Sequence, residues 1–373
     1  MFKRILAFGA AAVLLAACGG GAAPSAAPPS SAAPKPASAA ASVKPAASAA
    51  ASASIKPAAS ASAKPAASTA ASAKPAASAA ASASAIPETP ASASARASAA
   101  PTPVAQVQFS QAKLSTPLPP NIQQRGKLVT GVKCDYPPFG FIDQDGKNAG
   151  YEIDLVKQMA IFGFGNENAT QMECVVAANR IPFLTTNRID LIVATVTYTL
   201  DRAKTINFSD PYFAAAGRML LPKSSNITDE KQLKNVAVPK GSVYVTWFQK
   251  CSPNTNMLQF EQTSEGLAML SQGRAEAFVH DDTLLIDLAA KNQNLKIVGN
   301  GIAPGPWGMG IRLNDKAMTD WVNAALKQMQ SEDLFFKLLQ KWVADKDAVA
   351  KFDKTIPRPN QNLTYPTTDQ ITC

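Results

Sequence analysis

A long stretch that cannot build a hydrophobic core fills most of the first third of this chain. Between residues 19 and 114 the sequence is mainly Ala, Ser and Pro, and the motif KPAAS recurs at irregular spacing from Lys44, Lys56, Lys64 and Lys74. A solenoid needs a fixed period and an apolar face, and frequent Pro and Ser stop the Ala runs from forming one long helix. We therefore expect residues 19–114 to be a disordered tether, so that only the rest of the 373 residues folds.

The excess of positive charge also belongs mainly to this first segment. The chain has 36 Lys and Arg against 27 Asp and Glu, a net charge of +9. Residues 1–105 hold eight of the basic side chains and one acid, Glu88, which leaves 28 basic and 26 acidic groups in the remainder. Nucleic-acid-binding domains usually carry a basic patch of their own, so we expect no nucleic-acid partner. The single histidine, His280, excludes multi-histidine metal motifs, and we expect no metal, no cofactor and no enzymatic activity.

Residues 1–18 have the layout of an export signal. Lys3 and Arg4 precede an apolar stretch that is too short to span a membrane. The sequence Leu15-Ala16-Ala17-Cys18 resembles the bacterial lipobox, which implies cleavage before Cys18 and acylation of its thiol. We expect a lipoprotein anchored to the cell membrane on its extracytoplasmic face, in the periplasm or at the outer surface. The alternative is an ordinary secretory signal in which Cys18 is incidental.

Four further cysteines, Cys134, Cys174, Cys251 and Cys373, allow three disulfide pairings in an exported protein. Our hypothesis is a Cys251–Cys373 bridge that fixes the C-terminal tail. No CxxC motif is present.

Short apolar runs alternate with helical periods from about residue 126 onwards, which indicates an α/β protein. One such series covers residues 126–200 and includes a helical turn ending at Asn187, a residue suited to a left-handed cap. A second covers residues 235–302, with helices predicted from Ser242, over 264–272 and over 283–291. Two α/β lobes of about 100 residues each are therefore expected.

Four motifs in order are similar to those of polar amino-acid solute-binding proteins of ABC importers. They are GKLVTGVKCDYPPFGFIDQDGKNAGYEIDLV from Gly126, NRIPFLTTNRIDLIVATVTYTLDRAKTINFSDPYF, EAFVHD, and GMGIRL with a later KW. The resemblance implies a two-lobed periplasmic-binding-protein-like (type II) fold with two hinge crossings. We expect lobe 1 over residues 115–216 and 307–348, lobe 2 over 217–306, and a tail over 349–373. The crossings are expected near 214–218 and 304–309, where Gly217, Gly305 and Gly308 would ease rotation.

The resemblance also suggests which groups bind the ligand's α-carboxylate. Arg202, in the first turn of a helix capped by Thr199, matches the family's carboxylate-binding arginine, and its planar fork suits a carboxylate. Backbone N–H groups of Ser242 and Val243, where the first helix of lobe 2 begins, would add donors.

The ligand's ammonium needs acceptors. Asp281 matches the family's ammonium-binding aspartate, although the adjacent Asp282 leaves an ambiguity of one residue. The hydroxyl of Thr197 and the carbonyl of Thr195 are expected to complete that shell, and Tyr136 is expected to pack over the ligand backbone, with core packing as the alternative.

Two basic residues indicate that the ligand carries an acidic side chain. Lys133 follows the first strand at a position where glutamine-binding relatives carry an acid, and Arg180 resembles the second cationic position of glutamate and aspartate binders. We therefore expect glutamate or aspartate, although Lys133 could also extend its ammonium to solvent.

The expected mechanism is lobe closure on a free amino acid, followed by docking of the monomeric protein on an ABC permease. Two alternatives remain at this point: a sensory protein that presents its ligand to a receptor, and an exported dehydratase with the same fold.

Overall fold

The structure is a computed structural model that describes residues 106–368 and 371–373. The predicted export signal, Cys18 and the tether up to residue 105 lie outside the described residues. In the described part the strands are β1 (Leu128–Val132), β2 (Asp135–Tyr136), β3 (Gly140–Ile142), β4 (Asn148–Ala149), β5 (Thr170–Cys174), β6 (Leu191–Val193), β7 (Ile206–Phe208), β8 (Phe213–Pro222), β9 (Asn235–Pro239), β10 (Asn256–Phe260), β11 (Ala277–Asp281), β12 (Leu295–Trp307) and β13 (Gly310–Arg312).

The described residues form ten α-helices. They are α1 (Pro120–Arg125), α2 (Tyr151–Phe164), α3 (Arg180–Thr185), α4 (Leu200–Ala203), α5 (Val243–Cys251), α6 (Thr263–Ser271), α7 (Asp282–Lys291), α8 (Lys316–Ser331), α9 (Leu334–Trp342) and α10 (Lys346–Phe352). The three helices predicted from Ser242, over 264–272 and over 283–291 are found within one residue of those bounds as α5, α6 and α7. Asn187 has a φ of 60° and ends the turn after α3, as its preference for the left-handed region predicted.

Two five-stranded sheets define the two lobes. The sheet of lobe 1 has the order β5-β1-β6-β13-β7, in which β1 is parallel to β5 and β6 and β13 is antiparallel to its neighbours. The sheet of lobe 2 has the order β10-β9-β11-β8-β12, with β9 parallel to β10 and β11, and β8 antiparallel to β11 and β12. The predicted two-lobed α/β fold with two crossings is confirmed.

The chain crosses between the lobes along β8 and β12, whose ends at Phe213 and Trp307 still contact lobe 1 through the Tyr212 N–H bond to the Trp307 carbonyl and the bridge between Trp307 and Thr197. At the crossing, Phe213 pairs opposite Trp307, and their buried rings stack with centroids 4.9 Å apart. A Cβ on Gly217 would overlap the Tyr244 ring, and one on Gly308 would overlap the Tyr365 hydroxyl. These two glycines therefore allow side chains to pack closely against the hinge strands.

Helix α2 is buried over most of its surface, and its three buried polar side chains each bind a different segment. Asp154 accepts hydrogen bonds from Lys341 and from the Trp342 indole, both at 2.7 Å. Gln158 exchanges two hydrogen bonds with the backbone of Ser110, at 2.7 and 2.9 Å. Glu152 accepts hydrogen bonds from the Thr195 N–H and from the Tyr212 hydroxyl. The bonds of Asp154 and Gln158 satisfy buried polar groups that the core would otherwise leave unpaired.

Residues 107–114 are packed against the folded part, whereas their composition predicted that they belong to the disordered tether. Val107, Phe109 and Leu114 pack against the core of lobe 1, and Ser110 is buried. The physical reason is that this segment carries apolar side chains for the core and a backbone that bonds to Gln158. Within the described residues, the packed part of the chain therefore includes residues 107–114.

The C-terminal segment predicted as a tail lies against both lobes. Arg358 pairs with Asp333 of lobe 1 at 2.7 Å, and Tyr365 stacks on Tyr198 with centroids 4.2 Å apart. The last residues reach lobe 2, where Cys373 forms a disulfide with Cys251. The predicted Cys251–Cys373 bridge is confirmed, and Cys134 pairs with Cys174 inside lobe 1. Within the described residues no helix is long and apolar enough to cross a membrane.

Candidate ligand-binding site

A cavity lies between the lobes, at the ends of the strands of both sheets. Its polar lining residues come from lobe 1 (Lys133, Arg180, Thr195, Thr197, Arg202) and from lobe 2 (Ser242, Tyr244, Glu261, Thr263, His280, Asp281), with Ala177, Pro239, Val243 and Phe260 as the apolar part. Eight of the nine predicted ligand-binding residues therefore line one cavity, and only Tyr136 does not. The lobes touch through direct hydrogen bonds, so the structure is in a closed conformation.

Arg202 is held at the cavity by the backbone of both lobes. Its N–H is capped by the Thr199 hydroxyl at 3.1 Å, as predicted, which fixes α4. Its guanidinium donates to the Thr197 carbonyl at 2.7 Å and, across the cleft, to the Gly241 carbonyl at 3.0 Å. Burial and the neighbouring Arg180 lower the pKa of Arg202. With five N–H donors and two used, the guanidinium can still bind a carboxylate.

The start of α5 offers fewer donors than the sequence suggested. The Ser242 N–H donates to the Pro239 carbonyl at 3.1 Å, so it closes a turn. Val243 is the first residue of α5, and a helix does not satisfy the N–H groups of its first turn. The Ser242 hydroxyl is buried with no hydrogen-bond partner among the described residues, which makes it a further group facing the cavity.

Asp281 ends β11 and is surrounded by hydrogen-bond donors. Its carboxylate accepts from the Tyr244 hydroxyl at 2.5 Å and from the Tyr136 hydroxyl at 3.1 Å, and lies 3.0 Å from Nδ1 of His280. Burial alone would raise the pKa of Asp281, but the bonds with His280, Tyr244 and Tyr136 hold it below the ordinary value. The ionised carboxylate therefore has three partners and can accept one more bond.

The choice between Asp281 and Asp282 is decided by their partners. Asp282 pairs with Lys351 of α10 at 2.6 Å and does not line the cavity between the lobes. Burial raises the pKa of Asp282, and the Lys351 pair opposes that rise. Asp281 is thus the aspartate that faces the cleft.

Tyr136 is fully buried, away from the cavity surface. Its hydroxyl bonds to Asp281 and to Thr283, the latter at 2.6 Å, and burial raises its pKa well above the ordinary value. In this closed conformation the ring is part of the core, and its hydroxyl connects lobe 1 to the aspartate of lobe 2. Packing in the core was the alternative given for this residue, and its place over a ligand backbone stays a prediction.

Lys133 is buried and paired, which changes its expected role. Its ammonium lies 2.7 Å from Asp135, and the other oxygen of Asp135 accepts the Thr263 N–H of lobe 2 at 2.8 Å. Burial would raise the pKa of Asp135, but Lys133 and Thr263 bring it below the ordinary value. Much of the Lys133 charge is therefore neutralised within the protein. Asp135 was missed from the sequence, because Lys133 lies in the segment between β1 and β2 and no strand periodicity relates the two residues.

Arg180 is buried in the wall of lobe 1. Its Nη1 donates to the carbonyls of Ala194 and Thr195, the latter at 3.0 Å. Its Nε is buried with no hydrogen-bond partner among the described residues. The Thr195 carbonyl, predicted as an ammonium acceptor, is thus already shared with Arg180. Tyr244, Thr263 and Glu261 also line the cavity and were not predicted. Within the described residues no cluster of His, Cys, Asp or Glu could hold a metal ion.

This combination of fold and cleft is that of a solute-binding protein. The chain belongs to the bacterial extracellular solute-binding proteins, family 3, whose family model matches residues 128–345. The family binds polar amino acids for ABC transporters, and an amino acid and an ABC permease are therefore the expected partners. The chain is a solute-binding protein and not an enzyme.

Two relatives and one solved structure illustrate the match. The chain is 32% identical over 231 residues to the ABC transporter glutamine-binding protein of Bacillus subtilis, covering 61% of this chain and 85% of that protein. It is 36% identical over 193 residues to the glutamine-binding protein of Geobacillus stearothermophilus, covering 51% and 74%. The crystal structure of the cysteine-binding protein from Campylobacter jejuni superimposes with a TM-score of 0.57 at 33% identity, covering 60% of this chain and 91% of that chain.

Proposed function

We propose that the protein captures glutamate or aspartate by lobe closure and delivers it to an ABC importer. The observation that carries the choice of ligand is Arg180, a buried guanidinium that lines the cavity and whose Nε has no partner among the described residues. A buried charge of this kind is costly until an opposite charge or hydrogen-bond acceptor meets it. A side-chain carboxylate would supply both.

The α-groups of the ligand fit the two remaining charges. Arg202 would take the α-carboxylate, helped by the first turn of α5. Asp281 would take the ammonium through its remaining acceptor position, with Thr197 beside it. Because Arg202 belongs to lobe 1 and Asp281 to lobe 2, one ligand would hold both lobes in the closed position.

Glutamine is the second candidate, and a specific contact favours it. Asp135 already neutralises Lys133 at 2.7 Å, so only Arg180 is left as a cation for the ligand side chain. An amide oxygen could accept from Arg180 without adding charge, and the two relatives described above are glutamine-binding proteins.

A thermal-shift screen of the twenty amino acids on the mature protein, followed by calorimetry, tests the proposal. A ligand that binds the native state raises its melting temperature, and we expect the largest rise with glutamate or aspartate. Tight binding of glutamine or arginine with acidic amino acids silent would reject it.

Delivery to a permease distinguishes an importer from a sensory protein. In cells that also express a permease encoded next to this protein's gene, uptake of labelled ligand should depend on this protein. Ligand-dependent signalling with unchanged uptake would favour the sensory role.

We also propose that the monomeric protein is anchored by a lipid on Cys18. Mass spectrometry of the mature N-terminus should find an acylated cysteine, and Cys18→Ser should release the protein from membranes. An unmodified N-terminus at another residue would contradict the anchor, and light scattering checks the monomer.

A further inference from the structure

A fully buried carboxylate lies just behind the cavity wall of lobe 1. Glu152, in the first turn of α2, has no exposed surface. Its Oε1 accepts the Thr195 N–H at 2.8 Å and the Tyr212 hydroxyl. Its Oε2 is buried with no hydrogen-bond partner among the described residues. An apolar residue here would cost the core less free energy, which points to a role for Glu152 in the neighbouring site.

One peptide group connects Glu152 to Arg180. The peptide between Ala194 and Thr195 donates its N–H to Glu152, while its carbonyl accepts from Nη1 of Arg180. The next carbonyl, that of Thr195, accepts from the same Nη1 at 3.0 Å. Hydrogen bonds in such a chain polarise one another. The carboxylate and the guanidinium therefore act on the two ends of the same peptide.

The backbone at this point needs to be held. Thr195 has a φ of 49°, a left-handed conformation that β-branched residues rarely adopt. Such conformations persist where the surrounding structure fixes them, often at binding sites. The bond from Glu152 fixes the peptide from one side and Arg180 fixes it from the other.

We propose that Glu152 is a positioning residue that holds the Thr195 backbone and Arg180 in place, and whose ionisation sets how much of the Arg180 charge remains for the ligand side chain. This inference rests on the proposed function, because it concerns the same cleft. With Glu152 ionised, part of the Arg180 charge is balanced from behind. With Glu152 protonated, that charge is free to attract a ligand carboxylate.

The surroundings of Glu152 let it change charge near neutral pH. The charged and titratable groups that face it are Arg180 of α3, Lys133 after β1, Tyr212 before β8 and its neighbour Tyr151. Burial raises the pKa of Glu152 from 4.5 to about 7, against the opposing effect of the bonds from Tyr212 and Thr195. Binding of an anion beside Arg180 should therefore be coupled to proton uptake by Glu152.

The test compares wild type with Glu152→Gln by calorimetry of glutamate and glutamine at pH 6, 7 and 8, using the whole mature protein. In wild type we expect glutamate to bind about fivefold tighter at pH 6 than at pH 8, the size of linkage to one partly titrating carboxyl. Glutamine should show no such trend. In Glu152→Gln, glutamate should bind at every pH with nearly the pH 6 affinity of wild type, because the amide keeps the bond to Thr195 without the charge.

Tyr212→Phe is the matched control. It removes the other bond to the same oxygen and leaves the Thr195 contact intact. Since that bond favours the ionised form, its loss should move the glutamate transition to higher pH. Every other titratable group is common to wild type and Glu152→Gln, so its contribution cancels in the comparison. The same pH dependence in wild type and Glu152→Gln would overturn the proposal.

A second measurement separates this inference from the choice of ligand. If glutamine binds and glutamate does not, the proposed ligand is wrong, but the positioning role still predicts an effect. Glu152→Ala should then weaken glutamine binding at least about tenfold, while Glu152→Gln should keep it within about twofold. Equal glutamine affinity in Glu152→Ala and wild type would overturn the positioning role.

Unfolding without ligand checks the titration and the folding of the variants. The pKa of Glu152 is raised in the folded state, so its contribution favours folding at low pH and is lost as the pH rises from 4.5 through about 7. Glu152→Gln does not lose this stabilisation. The melting temperature of Glu152→Gln minus that of wild type should therefore become more positive as the pH increases. A constant difference between the two proteins would count against the proposal.

Discussion

Lobe 1 and lobe 2 hold their ligand-facing groups in different ways. The cations Arg180 and Arg202 of lobe 1 are oriented mainly by carbonyls of their own lobe, at Ala194, Thr195 and Thr197. Asp281 of lobe 2 is oriented by side chains, and one of them, Tyr136, comes from lobe 1. The cationic half of the site is therefore built mainly within lobe 1, with one bond from Arg202 to the Gly241 carbonyl of lobe 2, whereas the acidic half includes a bond from Tyr136 across the cleft.

This difference implies an order of events. Under the proposed function, an amino acid entering an open cleft would meet its carboxylate partners on lobe 1 first. Its ammonium would be fully bound only when lobe 2 brings Asp281 to Tyr136. The free energy of the second contact can then be used to close the hinge, which is how a ligand shifts a two-state equilibrium. Changes in lobe 1 should weaken the first encounter, and changes in lobe 2 should mainly speed release.

The largest effect on affinity is expected for Arg202→Ala. Removing one partner of a buried charge pair costs several kcal/mol, so the ligand Kd should rise at least about 100-fold. Calorimetry measures this, with Arg188→Ala as the control, because Arg188 is an exposed arginine of lobe 1 that pairs with Glu173. A loss below about tenfold would show that the α-carboxylate is bound elsewhere.

Asp281→Asn should have the next largest effect. It removes the charge opposite the proposed ligand ammonium and keeps an acceptor for only one of Tyr244 and Tyr136, which donate to different oxygens. We expect Kd to rise about 30-fold, or roughly 2 kcal/mol. Stopped-flow measurements should assign most of the change to a faster dissociation rate. Asp282→Asn is the control and should stay within about twofold, because Asp282 faces Lys351. Equal effects of the two variants would reverse the assignment of Asp281.

Asp135→Asn addresses the side-chain subsite. The substitution frees the Lys133 charge while an amide oxygen can still accept the Thr263 N–H. The ratio of glutamate to glutamine affinity should then rise about fivefold, as for one partly screened charge pair. Competition binding measures this ratio, with the exposed Asp145→Asn as control. An unchanged ratio would mean that Lys133 does not act on the ligand side chain.

The fold could be predicted because it depends on local patterns, and eight of the nine residues that the family resemblance suggested for ligand binding line the cavity. Alternating apolar runs marked the strands, and the motif around Arg202 marked its helix cap. The Lys133–Asp135 pair and the Glu152 contact could not be predicted, because a buried polar pair depends on which elements meet after folding. The place of Tyr136 depended on closure, which no sequence period encodes. Residues 106–114 gave one signal, the apolar Val107 and Phe109 two residues apart, but their Ser- and Pro-rich surroundings obscured it.

The smallest effect on affinity is expected from opening the tail disulfide with Cys251→Ser/Cys373→Ser. The tail lines no part of the cleft cavity, so Kd should change less than about threefold. Stability should fall, because the bridge joins residues 122 apart, against 40 for Cys134–Cys174. Chain entropy makes the longer loop about 1 kcal/mol more stabilising.

Cys134→Ser/Cys174→Ser is the matched comparison. It should lower the melting temperature less but weaken ligand affinity more, since Cys134 adjoins Lys133. Calorimetry and thermal unfolding could instead show a larger loss of affinity for Cys251→Ser/Cys373→Ser and a larger fall in melting temperature for Cys134→Ser/Cys174→Ser. That result would show that the tail controls closure more than the Cys134–Cys174 disulfide of lobe 1 does.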